Sequence, residues 1–195
     1  MITGTPGVGK TTISQKLATI LDASYINITE IVKEKKLETC IDSDRETLVV
    51  DSENVSKIIQ ETLDKTEGVT IIEGHFVVFV VPKKEVDIVL VLRRDPRELR
   101  EVLQKRGYHD KKIWENITAE ILDVCLVDAL SSSESSKVCE LDVSGKSIES
   151  VIEEVLFLLN NRRECKYGVV DWIGKLESEG QLEEYLKKNR LAEQT

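Results

Sequence analysis

A glycine-rich segment near the start of the chain constrains the fold more than any other feature. Residues 4–11 read Gly-Thr-Pro-Gly-Val-Gly-Lys-Thr and match the pattern G-x-x-x-x-G-K-[ST]. A short apolar segment precedes them, and apolar residues at helical spacing follow over residues 10–21. In a strand–loop–helix of this kind, the glycines let successive backbone N–H groups point at one phosphate. The alternative, a glycine-rich turn with a solvated lysine, fits this context less well.

Two side chains of the segment carry the predicted chemistry. Lys10 is expected to reach the β- and γ-phosphates of a bound nucleotide, and the Thr11 hydroxyl is expected to ligate Mg²⁺. A GTPase would also carry an N-K-x-D segment, which the sequence lacks, and a large ATPase motor needs a far longer chain. The class that remains is the small nucleotide and metabolite kinases, in which a mobile lid closes over ATP.

The composition of the chain limits the classes of protein to which it can belong. The length of 195 residues predicts one compact domain. The net charge of −9 argues against a protein that coats a nucleic-acid duplex. Its four cysteines form no C-x-x-C pair and it has only two histidines, so we expect neither a zinc site nor a disulfide framework. No apolar run approaches the ~20 residues of a membrane helix. We therefore expect a cytoplasmic protein with reduced cysteines and no membrane contact.

Strand-like and helix-like segments alternate along the chain. Continuous β-branched runs at residues 69–72 and 87–92 are typical of buried parallel strands, and a further strand is expected at 138–143. Helices are predicted at 52–65, 96–105, 111–130 and 148–160, with a loop-rich arm at 37–46. This alternation predicts an α/β fold, a parallel sheet with helices on both faces.

A second candidate site follows the strand at residues 69–72. Glu73 ends that strand, where ligands collect in open α/β sheets, and its carboxylate is a candidate for the water shell of Mg²⁺. His75 lies two residues further on, and its charge state is expected to matter near neutral pH. Taken alone, an acid at a strand end and a surface histidine would be the plainer interpretation; the neighbouring phosphate loop favours a functional one.

The segment at residues 93–112 is basic within an acidic chain. It holds eight Lys and Arg residues against four acids, and guanidinium groups beside a phosphate loop can stabilise a transferring phosphoryl group. Arg97 and Arg100 are expected to lie on the solvated face of a helix. Arg93 and Arg106 fall at the ends of the helix and are retained as candidates.

Three segments together resemble the adenylate kinase isoenzyme 6 family, which also acts in small-ribosomal-subunit maturation. They are residues 3–12, residues 25–34 with 42–51, and residues 106–121, which read Arg-Gly-Tyr-His-Asp-Lys-Lys-Ile-Trp-Glu-Asn-Ile-Thr-Ala-Glu-Ile. The phosphate loop alone is common to many proteins, whereas the third segment is much more specific. The Arg45 segment and residues 168–172 are more similar to the archaeal branch.

The resemblance implies a nucleoside-monophosphate-kinase fold with a core at residues 1–160 and a helical tail at 161–195. It implies an acceptor arm at about 27–50 and a small lid at about 105–114. The implied ATP contacts are Gly7, Gly9, Lys10, Thr11, Thr12, Arg106 and Lys146. The implied catalytic residues are Lys10, Glu73, His75 and Arg106, and the Mg²⁺ that accompanies ATP would be held by Thr11 and, through water, by Glu73. The acceptor would contact Asn27, Arg45 and Arg93.

Three functions follow as hypotheses. The first is phosphoryl transfer from ATP to AMP, giving two ADP, with ATPase activity and a further role in maturation of the small ribosomal subunit. The second is an ATP-switched assembly factor that grips a ribosomal partner and has little physiological kinase activity. The third is a kinase of another small metabolite. The family implies a basic platform protein of the small subunit as partner, association with the pre-ribosome, and a monomer; a basic partner suits the net charge of −9.

Overall fold

A five-stranded parallel sheet forms the centre of the computed structural model, which describes residues 1–42, 47–161 and 165–192. Its strand order is β2-β5-β1-β6-β7, and every neighbouring pair is parallel. Two further strands, β3 and β4, pair antiparallel in a separate small sheet. The strands are β1 (Ile2–Thr3), β2 (Ser24–Asn27), β3 (Glu38–Asp42), β4 (Thr47–Val50), β5 (Thr70–Glu73), β6 (Val89–Arg93) and β7 (Val138–Asp142).

Helices cover both faces of the sheet. They are α1 (Lys10–Leu21), α2 (Ile28–Lys35), α3 (Ser52–Leu63), α4 (Val77–Val80), α5 (Pro96–Lys105), α6 (Asp110–Ile121), α7 (Val124–Ser132), α8 (Ile148–Asn160), α9 (Trp172–Ser178) and α10 (Leu182–Ala192). Alternate residues of β6 enter opposite cores: Leu90 and Leu92 pack with α1, α5, α6 and α8, whereas Val89 and Val91 pack with α2, α3, α4 and α7. The predicted three-layer α/β fold is confirmed.

Two predicted elements differ from the structure. The arm at residues 37–46, expected to be loop-rich, contains β3, which pairs with β4. The single helix expected over 111–130 is two helices, because Asp123 adopts a left-handed conformation (φ 56°) between α6 and α7. The Asp123 carboxylate accepts a hydrogen bond from Arg93, so a tertiary contact holds the break that the apolar spacing does not reveal.

The C-terminal segment, residues 165–192, packs on the first of these cores. Trp172, Leu176 and Tyr185 are buried in it. On its surface, Lys175 pairs with Asp95 at 2.8 Å, which fixes α9 beside the start of α5. Nowhere in the described ranges is a helix both long and apolar enough to cross a membrane.

A disulfide joins Cys139 of β7 to Cys165 at the start of this segment. The expectation that all the cysteines are unpaired is therefore wrong. The cause is tertiary: the two residues are 26 positions apart, and they meet because the backbone N–H of Glu140 donates to the carbonyl of Lys166, which lays the segment against β7.

Breaking this bond should destabilise the protein. A crosslink that closes a loop of this length stabilises a fold by about 3 kcal/mol, mainly by restricting the unfolded chain. We expect Cys165→Ser to lower the free energy of unfolding by about 2–4 kcal/mol, measured by urea denaturation without reductant. Dithiothreitol should lower the stability of the unmutated protein to the same level and leave the variant unchanged. Equal stability of the oxidised protein and the variant would contradict the prediction.

Candidate active site

The phosphate loop lies at the carboxyl edge of the sheet, where two close approaches require glycine. Gly4 has φ 140°, and a Cβ there would lie 2.4 Å from the carbonyl oxygen of Leu92 at the end of β6. Gly7 has φ 98°, and its Cβ would lie 2.8 Å from Leu99 Cδ1 on α5. The loop is thus pressed between the end of β6 and α5, with its backbone curled over the start of α1.

Lys10 folds back onto the loop that precedes it. Its Nζ donates to the carbonyl of Gly4 at 2.8 Å and to that of Thr5 at 3.1 Å. Burial lowers the pKa of Lys10, and the nearby Glu73 and Glu120 carboxylates partly oppose that shift. The ammonium is therefore held inside the curve of the loop, where the P-loop motif places a phosphate.

Glu73 lies at the end of β5 and is almost fully buried, with 2% of its surface exposed. One carboxylate oxygen, Oε1, accepts three hydrogen bonds: from Thr11 Oγ1 at 2.7 Å, Tyr25 OH at 2.9 Å and Asn27 Nδ2 at 2.9 Å. Within the described residues, no donor reaches the other oxygen, Oε2. The parallel register produces this cluster, because Asn27 of β2 and Ile2 of β1 both pair with Glu73.

The neighbours of Glu73 keep it in one orientation. Burial, with the Glu73 carboxylate close by, raises the pKa of Tyr25 to about 12, so the phenol stays a donor. Asn27 uses both ends of its amide: Nδ2 binds Glu73, and Oδ1 accepts from the backbone N–H of Glu30 and caps α2. Asn27 thus holds the Glu73 carboxylate in place, and its amide is already engaged rather than free to bind an acceptor nucleotide. Arg45, the other predicted residue of the arm, lies outside the described residues.

His75 is exposed on the loop after β5. Thr3 Oγ1 donates to its backbone carbonyl at 3.2 Å, and its ring meets Phe76 edge-on with centroids 4.9 Å apart. The protein around the imidazole displaces water, and the positive charges of Lys10 and Lys112 add to that effect, lowering the pKa of His75 to about 4. With a pKa of about 4 the ring is neutral at pH 7, in contrast to the expectation that its charge changes near neutral pH.

A cavity of about 190 Å³ opens beside the phosphate loop. It brings together five of the predicted ATP contacts, Gly7, Gly9, Thr12, Arg106 and Lys146, which come from three separate parts of the chain. Apolar side chains complete its walls, including Val102, Val143, Ile148 and Val151. A cleft with an apolar wall, three cationic side chains (Arg94, Arg106 and Lys146) and residues of the phosphate loop suits a nucleotide.

Arg93 has a different place from the one predicted. Only 1% of it is exposed, and its guanidinium donates to Glu120 at 2.8 Å, to Glu140 at 2.5 Å and to Asp123. Burial alone would lower the pKa of Arg93, but the contacts with Glu120 and Asp123 outweigh it and raise the pKa. This contradicts the prediction that Arg93 binds an acceptor, because the side chain is buried and each of its three guanidinium nitrogens donates to a group inside the protein.

Sequence reasoning missed Tyr25 and Glu120, and each had a signal. Tyr25 lies two residues before Asn27 on a strand, so both side chains point to one face. Glu120 lies on the apolar face of α6, three residues after Ile117 and seven after Ile113, where a buried acid requires partners.

Glu73 and Thr11 supply a carboxylate and a hydroxyl, oxygen ligands of the kind that suit Mg²⁺ together with nucleotide phosphates. In the part of the chain that the structure describes, no group of three or more His, Cys, Asp or Glu residues could hold a metal ion. If Mg²⁺ binds beside Thr11 and Glu73, oxygens of phosphate and water would complete its coordination.

A phosphate loop that opens a helix, with an acid from the neighbouring strand bonded to its threonine, defines a P-loop α/β protein. The family described as AAA domain matches residues 1–123. Two archaeal relatives carry the name "Putative adenylate kinase". The one from Methanocaldococcus jannaschii is 43% identical over 174 residues, which are 89% of this chain and 92% of the relative. The one from Thermococcus onnurineus is 36% identical over 171 residues, 88% of this chain and 89% of the relative.

The chain belongs to the AAA domain family and is a member of the same family as these archaeal relatives. A solved structure of shikimate kinase from Bacteroides thetaiotaomicron is similar in fold, with a TM-score of 0.52 and 17% identity over 82% of this chain and 96% of that one. At that identity, the similarity supports the shared P-loop fold alone.

The low pKa of His75 can be tested directly. Its folded pKa of about 4 lies below the ordinary value of 6.5, so the unfolded chain binds more protons between these values. Stability should therefore fall as the pH drops from about 6.5 to about 4, and less so in His75→Gln. The same variant assigns the ring signals in proton NMR, because the chain has two histidines. A His75 midpoint near 6.5 would refute the prediction.

Proposed function

We propose that the protein transfers the γ-phosphoryl group of ATP to AMP and so forms two ADP. The observation that carries this proposal is the bond from Thr11 to Glu73, which joins the phosphate loop to an acid held by two further donors. The names of the archaeal relatives support the same chemistry. The acceptor assignment also draws on the resemblance of residues 25–51 and 106–121 to the adenylate kinase isoenzyme 6 family.

Each part of the site has a role in this reaction. Lys10 and the backbone N–H groups of the loop bind the β- and γ-phosphates, and Arg106 and Lys146 bind the ATP from the other side of the cavity. Mg²⁺, when bound, neutralises charge on the phosphates. Thr11 and, through water, Glu73 are the residues that would hold it. The arm at 27–50 binds AMP, and the lid at 105–114 excludes water from the transferring group.

The first test removes the charge at the centre of the loop. We expect Lys10→Ala to reduce ADP formation from ATP and AMP by at least about a thousandfold, since the ammonium stabilises charge as the phosphoryl group moves. The fold should persist, as measured by circular dichroism and thermal unfolding. Lys16→Ala, on the exposed face of the same helix, is the control and should retain full activity. Substantial turnover by Lys10→Ala would overturn the P-loop assignment.

A second test separates Glu73 from His75. Glu73→Gln should slow both AMP phosphorylation and ATP hydrolysis, because the metal is common to both reactions. His75→Ala should slow hydrolysis more than transfer, since AMP brings its own positioned nucleophile. The measurements are the two rate constants at saturating Mg·ATP for each variant. Equal losses in His75→Ala would remove its separate role, and an unimpaired Glu73→Gln would mean that the metal is held elsewhere.

We also propose hydrolysis of ATP and a role in maturation of the small ribosomal subunit, with a basic ribosomal protein as partner. Support comes from the resemblance and from the net charge of −9, which favours a basic partner. Binding of purified basic small-subunit proteins should weaken as salt increases and should respond to ATP.

A phosphorylatable small acid in place of AMP is the competing acceptor. Assay of shikimate beside AMP decides between them, and faster use of shikimate would reject the AMP proposal.

A further inference from the structure

Glu120 joins three parts of the chain inside the protein. It lies on α6 and is 1% exposed. Its Oε2 accepts from the hydroxyl of Thr5 in the phosphate loop at 2.5 Å. Its Oε1 accepts from Arg93 Nε at 2.8 Å, from the backbone N–H of Arg94 at 3.1 Å and from Trp172 Nε1 at 3.1 Å. One buried carboxylate thus binds the phosphate loop, the end of β6 and the C-terminal segment.

The C-terminal segment enters this cluster at two points. Trp172, the first residue of α9, is buried and donates to Glu120. The backbone N–H of Val169 donates to Oε2 of Glu140 at 2.8 Å, and Oε1 of the same residue binds Arg93. The segment is therefore held by polar contacts with the end of the sheet as well as by apolar packing.

The charges of the cluster explain why these donors matter. One guanidinium, Arg93, faces three carboxylates, those of Glu120, Glu140 and Asp123. Arg93 donates to only one carboxylate oxygen of Glu120, Oε1, so it does not by itself satisfy both oxygens. The indole N–H of Trp172 and the hydroxyl of Thr5 supply further donors, and a buried carboxylate deprived of one is costly.

At the loop end, Thr5 connects the cluster to Lys10. The Thr5 hydroxyl binds Glu120, while its carbonyl accepts from Lys10 Nζ at 3.1 Å and from the backbone N–H of Val8 at 3.3 Å. The orientation of Thr5, together with the Gly4 carbonyl at 2.8 Å, therefore sets where the Lys10 ammonium lies. A continuous series of hydrogen bonds runs from Trp172 through Glu120 and Thr5 to Lys10.

We infer that Glu120 is a positioning residue of the nucleotide site and that the C-terminal segment, through Trp172, helps to fix the phosphate loop. The inference rests on the proposed phosphoryl transfer for its rate measurement. It assigns the segment at residues 165–192 a part in the activity, although none of its residues lines the cavity beside the phosphate loop.

The test removes one hydrogen-bond donor, the indole N–H of Trp172, and keeps an aromatic side chain at this position. Trp172→Phe loses the indole N–H, so Glu120 and Thr5 should shift and Lys10 should be less well placed. We expect the rate constant for phosphoryl transfer to fall about tenfold and the Kd for Mg·ATP to rise only about threefold, because Lys10 acts most strongly as charge develops. The control is Tyr185→Phe, which removes a polar group from the same segment without touching Glu120. Its rate constant should change less than about twofold.

A double-variant cycle tests the route. Thr5→Val removes the hydroxyl and preserves the shape of the side chain. If Trp172 acts through Glu120 and Thr5, the variant with both changes should transfer phosphate about as fast as Thr5→Val alone. Independent effects that multiply would overturn the inference. So would a Trp172→Phe protein that only unfolds at lower temperature and keeps the normal rate constant per folded molecule.

The readouts separate this inference from the proposed function. If the unmutated protein does not phosphorylate AMP, the proposed function fails on that assay. The coupling between Trp172 and Thr5 is then measured on the Kd for Mg·ATP, which needs no acceptor. Additive changes in that Kd would overturn the inference, and a non-additive change would support it.

Discussion

The side chain of Arg93 organises the carboxyl edge of the sheet, and the arrangement of the site depends on it. Its guanidinium binds acids from α6, from β7 and from the turn between α6 and α7. A fully buried arginine is costly unless each donor has a partner, so these contacts oblige the three elements to meet at one place. The same cluster receives Thr5 from the phosphate loop and Trp172 from the C-terminal segment.

Two buried acids therefore accept hydrogen bonds from the two ends of the phosphate loop. Glu73 binds Thr11 at the start of α1, and Glu120 binds Thr5 at the start of the loop. Lys10 lies between them and is affected by both charges. These two contacts limit how far the loop backbone can move, and a fixed backbone is part of the preorganisation that electrostatic catalysis requires.

The limits of prediction are clearest at residues whose partners are distant in sequence. The position of Arg93 at a helix end, in a basic segment beside the phosphate loop, predicts a functional role for this side chain. The positions that bury it, Glu120 and Glu140, are 27 and 47 residues away. Asn27 was placed in the acceptor arm, yet the register of β2 with β5 directs its amide to Glu73. For His75, the position is predictable from the sequence, but its pKa depends on burial of the imidazole and on the charges of Lys10 and Lys112.

The phosphate loop, the α/β class and the strand-end position of Glu73 are predictable from the sequence, because each depends on local order: glycine spacing, β-branched runs and apolar periodicity. Lys10, Arg106 and Lys146 are predictable as well, because each lies in a sequence motif of its own. Three contacts become visible only in the folded protein: the acids that pair with Arg93, the bond of Cys139 to Cys165, and the hydrogen bond of Trp172 to Glu120. These contacts depend on how strands are ordered and helices packed across the sheet. Once Arg93 and Glu120 are buried, each needs its partners, and no local sequence pattern specifies which residues those partners are.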